Sequence, residues 1–440
     1  MRTSHKLITI LFLSFAGCIF SQNQVGQICA TMQMDSIIRS QHPELGTLQQ
    51  FEEWLQEKIS EKKYQKTDQN FNYIIPIIVH VINNGEAIGS ISNISNAQIQ
   101  SQLDVLNEDY RRLNPNFSDL TAPPYNATNW ASIAADCQIT FCWAVKDPQG
   151  NLLAVPGVDR INRKTLGFND PPYAPSYIND TIKPQTIWDP YRYLNIWVLS
   201  LTYPINGYAT FPIKSTLNGL SNGLTGTAKI DGVVINFHEF GKTGNLQATY
   251  NLGKTTTHEI GHWLGLRHVW GEDAGPCSTD YCDDTPNQEA YTAGCPAFPH
   301  ISCDNGPDGD MFVNYMDYTN DGCSYMFTND QKMRMQVVME NSPFRINVVK
   351  TPSTCDSGSV TPKPTVNIYP NPSFDGKFKI LTNDTINSVI IYNMLAQPVE
   401  KILTASYGNI DIDFSHEASG MYFVVVTTTT GTTNKKVVIR

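Results

Sequence analysis

His258-Glu259-Ile260-Gly261-His262-Trp263-Leu264-Gly265-Leu266-Arg267-His268 is the segment that most constrains what this 440-residue chain can fold into. On a helix, His258 and His262 share one face and aim two nitrogens at one point. Glu259 projects beside them, within reach of a water held at that point. His268 lies ten residues after His258, too far along a straight helix to reach the same place. The chain must turn first, and Gly265 stands where the turn is needed, because glycine accepts the positive φ that closes a helix. Three imidazoles with an open fourth position form the ligand set of a catalytic zinc, with His258, His262 and His268 as ligands and Glu259 as general base. The expected chemistry is peptide-bond hydrolysis.

Asn314-Tyr315-Met316-Asp317-Tyr318 follows downstream. A buried methionine is a soft filler that suits the floor beneath metal ligands, so Met316 is expected under the zinc site. Tyr318, two residues on, places a phenol near the open position, and resemblance to the metzincins implies that it steadies an oxyanion. Together with the extended histidine motif, the pentapeptide fits the metzincin pattern of zinc helix plus Met-turn.

Within that pattern the chain resembles the pappalysin family over about residues 72 to 345. The resemblance rests on His258 to His268, Asp283-Asp284-Thr285-Pro286, Gly294-Cys295-Pro296, Asn314 to Tyr318, and Asp321 with Cys323. It implies an α+β metzincin catalytic domain. A twisted, mixed sheet and the zinc helix would form an upper half, with irregular structure below the cleft. It also implies the disulfides Cys277–Cys303 and Cys295–Cys323. Compact bacterial members use calcium in the region matching Asp280, Asp283, Asp284 and Thr285, whose hard oxygen donors suit that ion. Related bacterial enzymes are held latent by a prosegment cysteine, the part assigned here to Cys29. Asp321 matches the aspartate at the base of the family's S1′ pocket. A carboxylate there favours arginine or lysine just after the scissile bond.

The remaining chain divides by composition. Residues 1–21 are expected to be a secretory signal, with Arg2 and Lys6 ahead of an apolar run too short to anchor. Ala16-Gly17-Cys18 offers a lipoprotein alternative that Phe15 and the continuing apolar pair Ile19-Phe20 argue against. Residues 22–70 are polar, with a helical stretch around Phe51 to Leu55, and are expected to be a propeptide. The catalytic domain is expected over 71–350. Its strands are Tyr73–Val81, Ile139–Val145, Leu194–Ser200 and Gly232–Phe237; its helices are Asn96–Tyr110 and Gln331–Val338. Residues 165–180 read as surface loop, His80 as a satisfied core histidine, and His238-Glu239 as rim or surface. Arg267 and Trp270 read as packing or loop residues.

A Thr/Pro/Ser-rich linker over 351–365 leads to a β-rich tail, 366–440. The tail opens Val366-Asn367-Ile368-Tyr369-Pro370-Asn371-Pro372 and continues through Ile391-Tyr392-Asn393 and Ser419-Gly420-Met421-Tyr422. It resembles the C-terminal sorting domain of type IX secretion, a small all-β sandwich. The secretion machinery is therefore an expected partner beside protein or peptide substrates, and the location secreted or cell-surface.

Ten cysteines in an exported chain point to disulfides. Cys282 is the odd one, with Cys137 or Cys142 as candidate partners. A net charge of -10 leaves no basic footprint for nucleic acid, and no apolar stretch in the mature chain is long enough for a membrane helix. A noncatalytic surface protein with a vestigial zinc motif is the other class to weigh. Intact Glu259 speaks against it.

Overall fold

In a computed structural model of the chain, the described residues are 29–65, 72–214, 226–272, 275–349, 355, 366–395, 397–428 and 432–440. The expected signal segment and all of the linker except Cys355 lie outside them.

The run Tyr73–Asn83 forms strand β1 and is buried at every position except Ile74. A near-continuous apolar run of this kind belongs in a sheet covered on both faces. Strands β2 (Ile139–Trp143), β3 (Val158–Asn162), β4 (Leu194–Leu199), β5 (Gly207–Ala209) and β6 (Val233–Asn236) complete a sheet of order β2-β1-β4-β6-β5, with β3 also on β1. All pairings are parallel except β5 against β6. This antiparallel edge makes the sheet mixed.

Side chains alternate across β1 as pleating requires. Ile75, Ile77, Val79 and Val81 face helix α3 (Asn96–Asp109) and the motif helix, packing with Ile99, Leu103, Leu106, Ile260 and Trp263. Ile82 faces the other way, with Phe168, Tyr173, Ile178, Ile182 and Trp197. The expected surface loop over 165–180 is corrected in part: most of its residues are exposed, but Phe168, Tyr173 and Ile178 turn inward. Short helical turns between Arg163 and Thr186 carry these contacts onto the second face of the sheet. Their aromatic and β-branched residues are spaced by prolines, which hides helical periodicity. His80 is fully buried, its ring nitrogens 2.9 Å from Asp159 Oδ2 and 2.9 Å from Asn195 Oδ1.

Two N-terminal helices, α1 (Thr31–Gln41) and α2 (Leu48–Gln65), precede the sheet. Phe51, Trp54, Leu55 and Ile59 of α2 pack on Phe211, Val337 and Val338. Beside them Arg334 Nη2 donates to Glu52 Oε1 at 2.6 Å, both side chains buried.

Cys277–Cys303 and Cys295–Cys323, the two pairs the family resemblance implies, are disulfide-bonded. Cys142 is bonded to Cys355, while Cys137 and Cys282 are free and buried. A bond from Cys282 to Cys137 or Cys142 is thus overturned. Cys137 turns into the main core with Ile139 and Phe141, whereas Cys142 meets the segment that returns beside Ala144.

The tail forms a second, antiparallel β unit. Strands β7 (Val366–Tyr369), β8 (Lys377–Tyr392), β9 (Pro398–Asp413), β10 (Gly420–Thr428) and β11 (Thr432–Ile439) pair in the order β11-β10-β8-β7, with β9 also on β8. Val366, Ile380, Val389, Ile391, Val424, Val426 and Val437 fill a core of their own. The result is a β-sandwich-like domain.

Candidate active site

The motif helix α4 (Lys254–Trp263) is fixed from three sides. The buried carboxylate of Asp109 on α3 accepts from Lys254 Nζ at 2.5 Å, Thr257 Oγ1 at 2.7 Å and Tyr315 Oη at 2.9 Å. Asp321 Oδ2 accepts from the amides of Leu252 and Lys254, at 2.7 and 3.2 Å, and so holds the start of the helix. Met316 lies beneath it, so close that a Cβ on Gly261 would fall 2.5 Å from the methionine sulfur.

The helix closes at Gly265, which has φ +89°. Gly265 N donates to His262 O at 2.8 Å and Leu266 N to Gly261 O at 2.9 Å, and the chain then folds back to bring His268 alongside the helix. Arg334 Nε donates to the Gly265 carbonyl at 2.6 Å and steadies that turn.

The three imidazoles converge. His262 Nε2 lies 3.1 Å from His258 Nε2 and 3.1 Å from His268 Nε2. Each Nδ1 is already engaged: His258 with Tyr315 O at 2.7 Å, His262 with Leu266 O at 2.8 Å, and His268 with Glu272 Oε1 at 2.5 Å. Those acceptors put the ring proton on Nδ1, so three Nε2 lone pairs meet with no donor among them. A cation satisfies that arrangement and a hydrogen bond does not. Burial, and then mutual repulsion with His268, lowers His258 to about 3; burial, then Arg267, lowers His268 to about 3. Neutral imidazoles are what a metal requires. Cys29 Sγ belongs to the same cluster, its atoms all within 4.8 Å of one another, and no other such group of His, Cys, Asp or Glu occurs among the described residues.

Glu259 is buried beside the three imidazoles, and burial pushes its carboxyl up to about 8. Its Oε2 accepts from Thr31 Oγ1 at 2.8 Å and lies 3.4 Å from the Cys29 thiol. The N-terminal segment reaches this point by pairing with the edge strand: Ala30 N donates to Gly207 O at 3.1 Å, and Ala209 N to Thr31 Oγ1 at 2.8 Å. Tyr318 Oη stands 3.4 Å from Cys29 O, and its ring lies 5.0 Å from that of His268. Trp270 stacks on His268 at 4.2 Å. Arg267 is buried, donating to Glu272 Oε2 at 2.8 Å.

Asp321 lines the same cleft as Cys29, His258, Glu259 and Tyr318. Burial pushes its carboxyl up to about 6 despite the two amides. The acidic loop is more dispersed. Asp280 is buried, with Oδ1 accepting from Thr285 Oγ1 at 2.7 Å and Cys282 N at 3.1 Å; Asp283 is exposed, and Asp284 Oδ2 accepts from Asp330 N at 3.0 Å. Glu239, expected at the rim, is fully buried. The loop after β6 folds inward over α3, with Gln98 Nε2 donating to the carbonyls of Phe237 and Phe240.

Two participants stand outside the motif pattern. Glu272 binds both the ring and the amide of His268, and an acid four residues beyond the third histidine is the only signal for it. Thr31 has none, because its role depends on where a distant segment docks.

The fold and site define a metzincin-like zinc metalloendopeptidase. A family model described as Pregnancy-associated plasma protein-A matches residues 176–340, and one described as Secretion system C-terminal sorting domain matches 367–440. An extracellular metalloprotease of Pyricularia oryzae is 31% identical over 264 residues, 59% of this chain and 73% of that protein. A promirolysin mutant of Tannerella forsythia superposes with TM-score 0.60 at 34% identity, covering 75% of this chain and 99% of the other. Mature mirolysin of the same organism, in complex with a cleaved peptide, gives 0.54 at 38% identity, covering 63% and 96%. The chain belongs to the pappalysin family of zinc metallopeptidases and carries a type IX sorting domain. It is accordingly a secreted or cell-surface endopeptidase whose partners are the secretion machinery and protein or peptide substrates. Among the described residues no helix is long and apolar enough to cross a membrane.

Proposed function

We propose that Glu259 is the general base and acid of this peptidase, that His258, His262 and His268 hold its zinc, and that it acts before arginine or lysine. The reading is carried by the three convergent Nε2 atoms with the Glu259 carboxylate beside them. When bound there, zinc supplies Lewis acidity that polarises a scissile carbonyl and acidifies a water. Glu259 accepts the proton of the attacking water and returns it to the leaving nitrogen. Beside a bound divalent cation, the Glu259 carboxyl would be drawn back toward the ionised form that a base requires. Tyr318 steadies the developing oxyanion, and Met316 packs beneath the ligands. Glu259→Ala is expected to retain zinc and lose peptide hydrolysis; near-normal turnover by a zinc-loaded variant overturns the assignment.

Residues 22–70 are read as a propeptide, with residues 1–21 as signal, 71–350 as the catalytic domain and 351–365 as the linker to 366–440. Cys29 is the latency residue: its sulfur would hold the remaining position about a bound zinc and so exclude water. The membership of its sulfur in the histidine cluster supports this. Asp321 selects a basic side chain after the scissile bond, a reading supported by its buried carboxylate in the catalytic cleft.

Calcium is proposed for the loop of Asp280, Asp283, Asp284 and Thr285. Support comes from Asp280 Oδ2, a buried carboxylate oxygen without a hydrogen-bond partner, which a hard cation would satisfy. Returning calcium to chelated, zinc-replete enzyme should raise its melting temperature, and an unchanged value counts against the site.

A further inference from the structure

Strand β5 passes the catalytic carboxylate with a glycine where a side chain would point at α4. A Cβ on Gly207 would lie 2.9 Å from Glu259 Cγ, 3.1 Å from Glu259 Oε1 and 3.0 Å from the Val234 carbonyl. Gly207 has no positive φ, so backbone conformation does not require glycine there. Space does. Ala209, two residues on and on the same face, carries its methyl into the core with Ile260 and Trp263.

The clash at Gly207 has few ways to relax. Gly207 pairs with Ile235 and Tyr208 with Val234 on β6, so β5 cannot back away without breaking the sheet edge. Helix α4 is held by Asp109 and by Asp321. Tyr208, between the two small residues, is anchored on the opposite face by a hydrogen bond to Asn179 Oδ1 at 3.0 Å. The Glu259 side chain is the movable part. We infer that Gly207 is a positioning residue for the general base: its missing side chain leaves the volume in which the Glu259 carboxylate is aimed at the attacking water. The inference rests on the assignment of Glu259 as base.

The test uses the full chain, activated and zinc-loaded, carrying Gly207→Ala. Zinc content should match wild type and KM should stay within about threefold. A misplaced catalytic group costs on the order of 10- to 100-fold in kcat. Glu259→Ala removes Cγ and the carboxylate that the added methyl would meet. The loss of melting temperature caused by Gly207→Ala should therefore shrink on the Glu259→Ala background, a non-additivity expected only of groups in contact. An unchanged kcat with raised KM, or the same loss of melting temperature on both backgrounds, overturns the inference. If Gly207→Ala does not fold alone, folding rescued by Glu259→Ala supports it, and failure in both backgrounds assigns the clash to Val234 and overturns it. Turnover by Glu259→Ala defeats the base assignment itself; an inert Glu259→Ala beside a wild-type-like Gly207→Ala defeats only the role of Gly207.

Discussion

The Thr31 hydroxyl donates a 2.8 Å hydrogen bond to Oε2 of Glu259 and accepts one of 2.8 Å from the amide of Ala209. The segment that brings Cys29 to the three histidines therefore also engages the residue proposed as base. Of Glu259 and the three histidines, Thr31 engages Glu259 alone, whereas Cys29, two residues before it, meets both Glu259 and the histidine cluster. Pairing with Gly207 and Ala209 on the sheet edge holds them in place.

If the segment is the propeptide proposed above, this contact predicts a two-part latency. Cys29→Ala alone should leave the zymogen partly latent, because Thr31 still holds Glu259. Thr31→Val should shorten the autoactivation lag on its own. A hydrogen bond to a charged group is worth about 1.5–3 kcal/mol, or roughly 10- to 100-fold in the opening equilibrium. Progress curves of the single and double variants measure it, and a lag unchanged by Thr31→Val removes threonine from the account.

Glu272 should matter to zinc rather than to folding. It fixes the His268 ring through Nδ1 at 2.5 Å and shares its other oxygen with Arg267 at 2.8 Å. Partners of this kind orient the ligand and raise its basicity, and losing one costs about 10- to 100-fold in metal affinity. Competition with a chelator should show that weakening in Glu272→Gln at an unchanged fold. Equal affinity would make the contact incidental.

Much of the site was legible because its chemistry is local. The spacing from His258 to His268 demanded a turn, and Gly265 makes it with φ +89°. The first strand was legible as an uninterrupted apolar run, and α3 from its period. What escaped depended on distant partners. Cys142 finds Cys355 across 213 residues, and no pattern within either segment encodes that. The turns around Ile178 and Ile182 are too short for a period to emerge, although they pack against one face of the sheet. Glu239 was misread for a related reason: a charged residue in a polar loop is ordinarily exposed, and only tertiary folding buries it.

Glu239 also gives stability a pH dependence. Burial, with the Asp321 carboxylate adding to it, raises its carboxyl from the ordinary 4.5 to about 8, and neither oxygen has a hydrogen-bond partner. A raised acid costs the folded state nothing while protonated in both states. Its penalty grows as pH climbs from 4.5 and levels off above 8. Glu239→Gln should therefore match wild type near pH 4.5 and be more stable by about 2–4 kcal/mol near pH 8.5. Urea unfolding at the two pH values measures the difference. A gap independent of pH would mean that the carboxyl is not suppressed.

Asp321 sets the sharpest test of specificity, and its contacts dictate the substitution. Because Oδ2 accepts from Leu252 N and Lys254 N, removing the side chain would also loosen the start of α4. Asp321→Asn keeps an acceptor for both amides and removes only the charge. If Asp321 recognises a basic side chain after the scissile bond, the Asn variant should lose roughly 10- to 100-fold of its preference for arginine or lysine, the worth of one charge-assisted hydrogen bond. Zinc content and turnover of apolar substrates should hold. A peptide library read by mass spectrometry separates the outcomes. If wild type and Asp321→Asn give the same profile, the carboxylate serves the helix terminus alone and the pocket assignment falls. If preference drops while zinc stays bound, the residue that anchors α4 also selects the substrate.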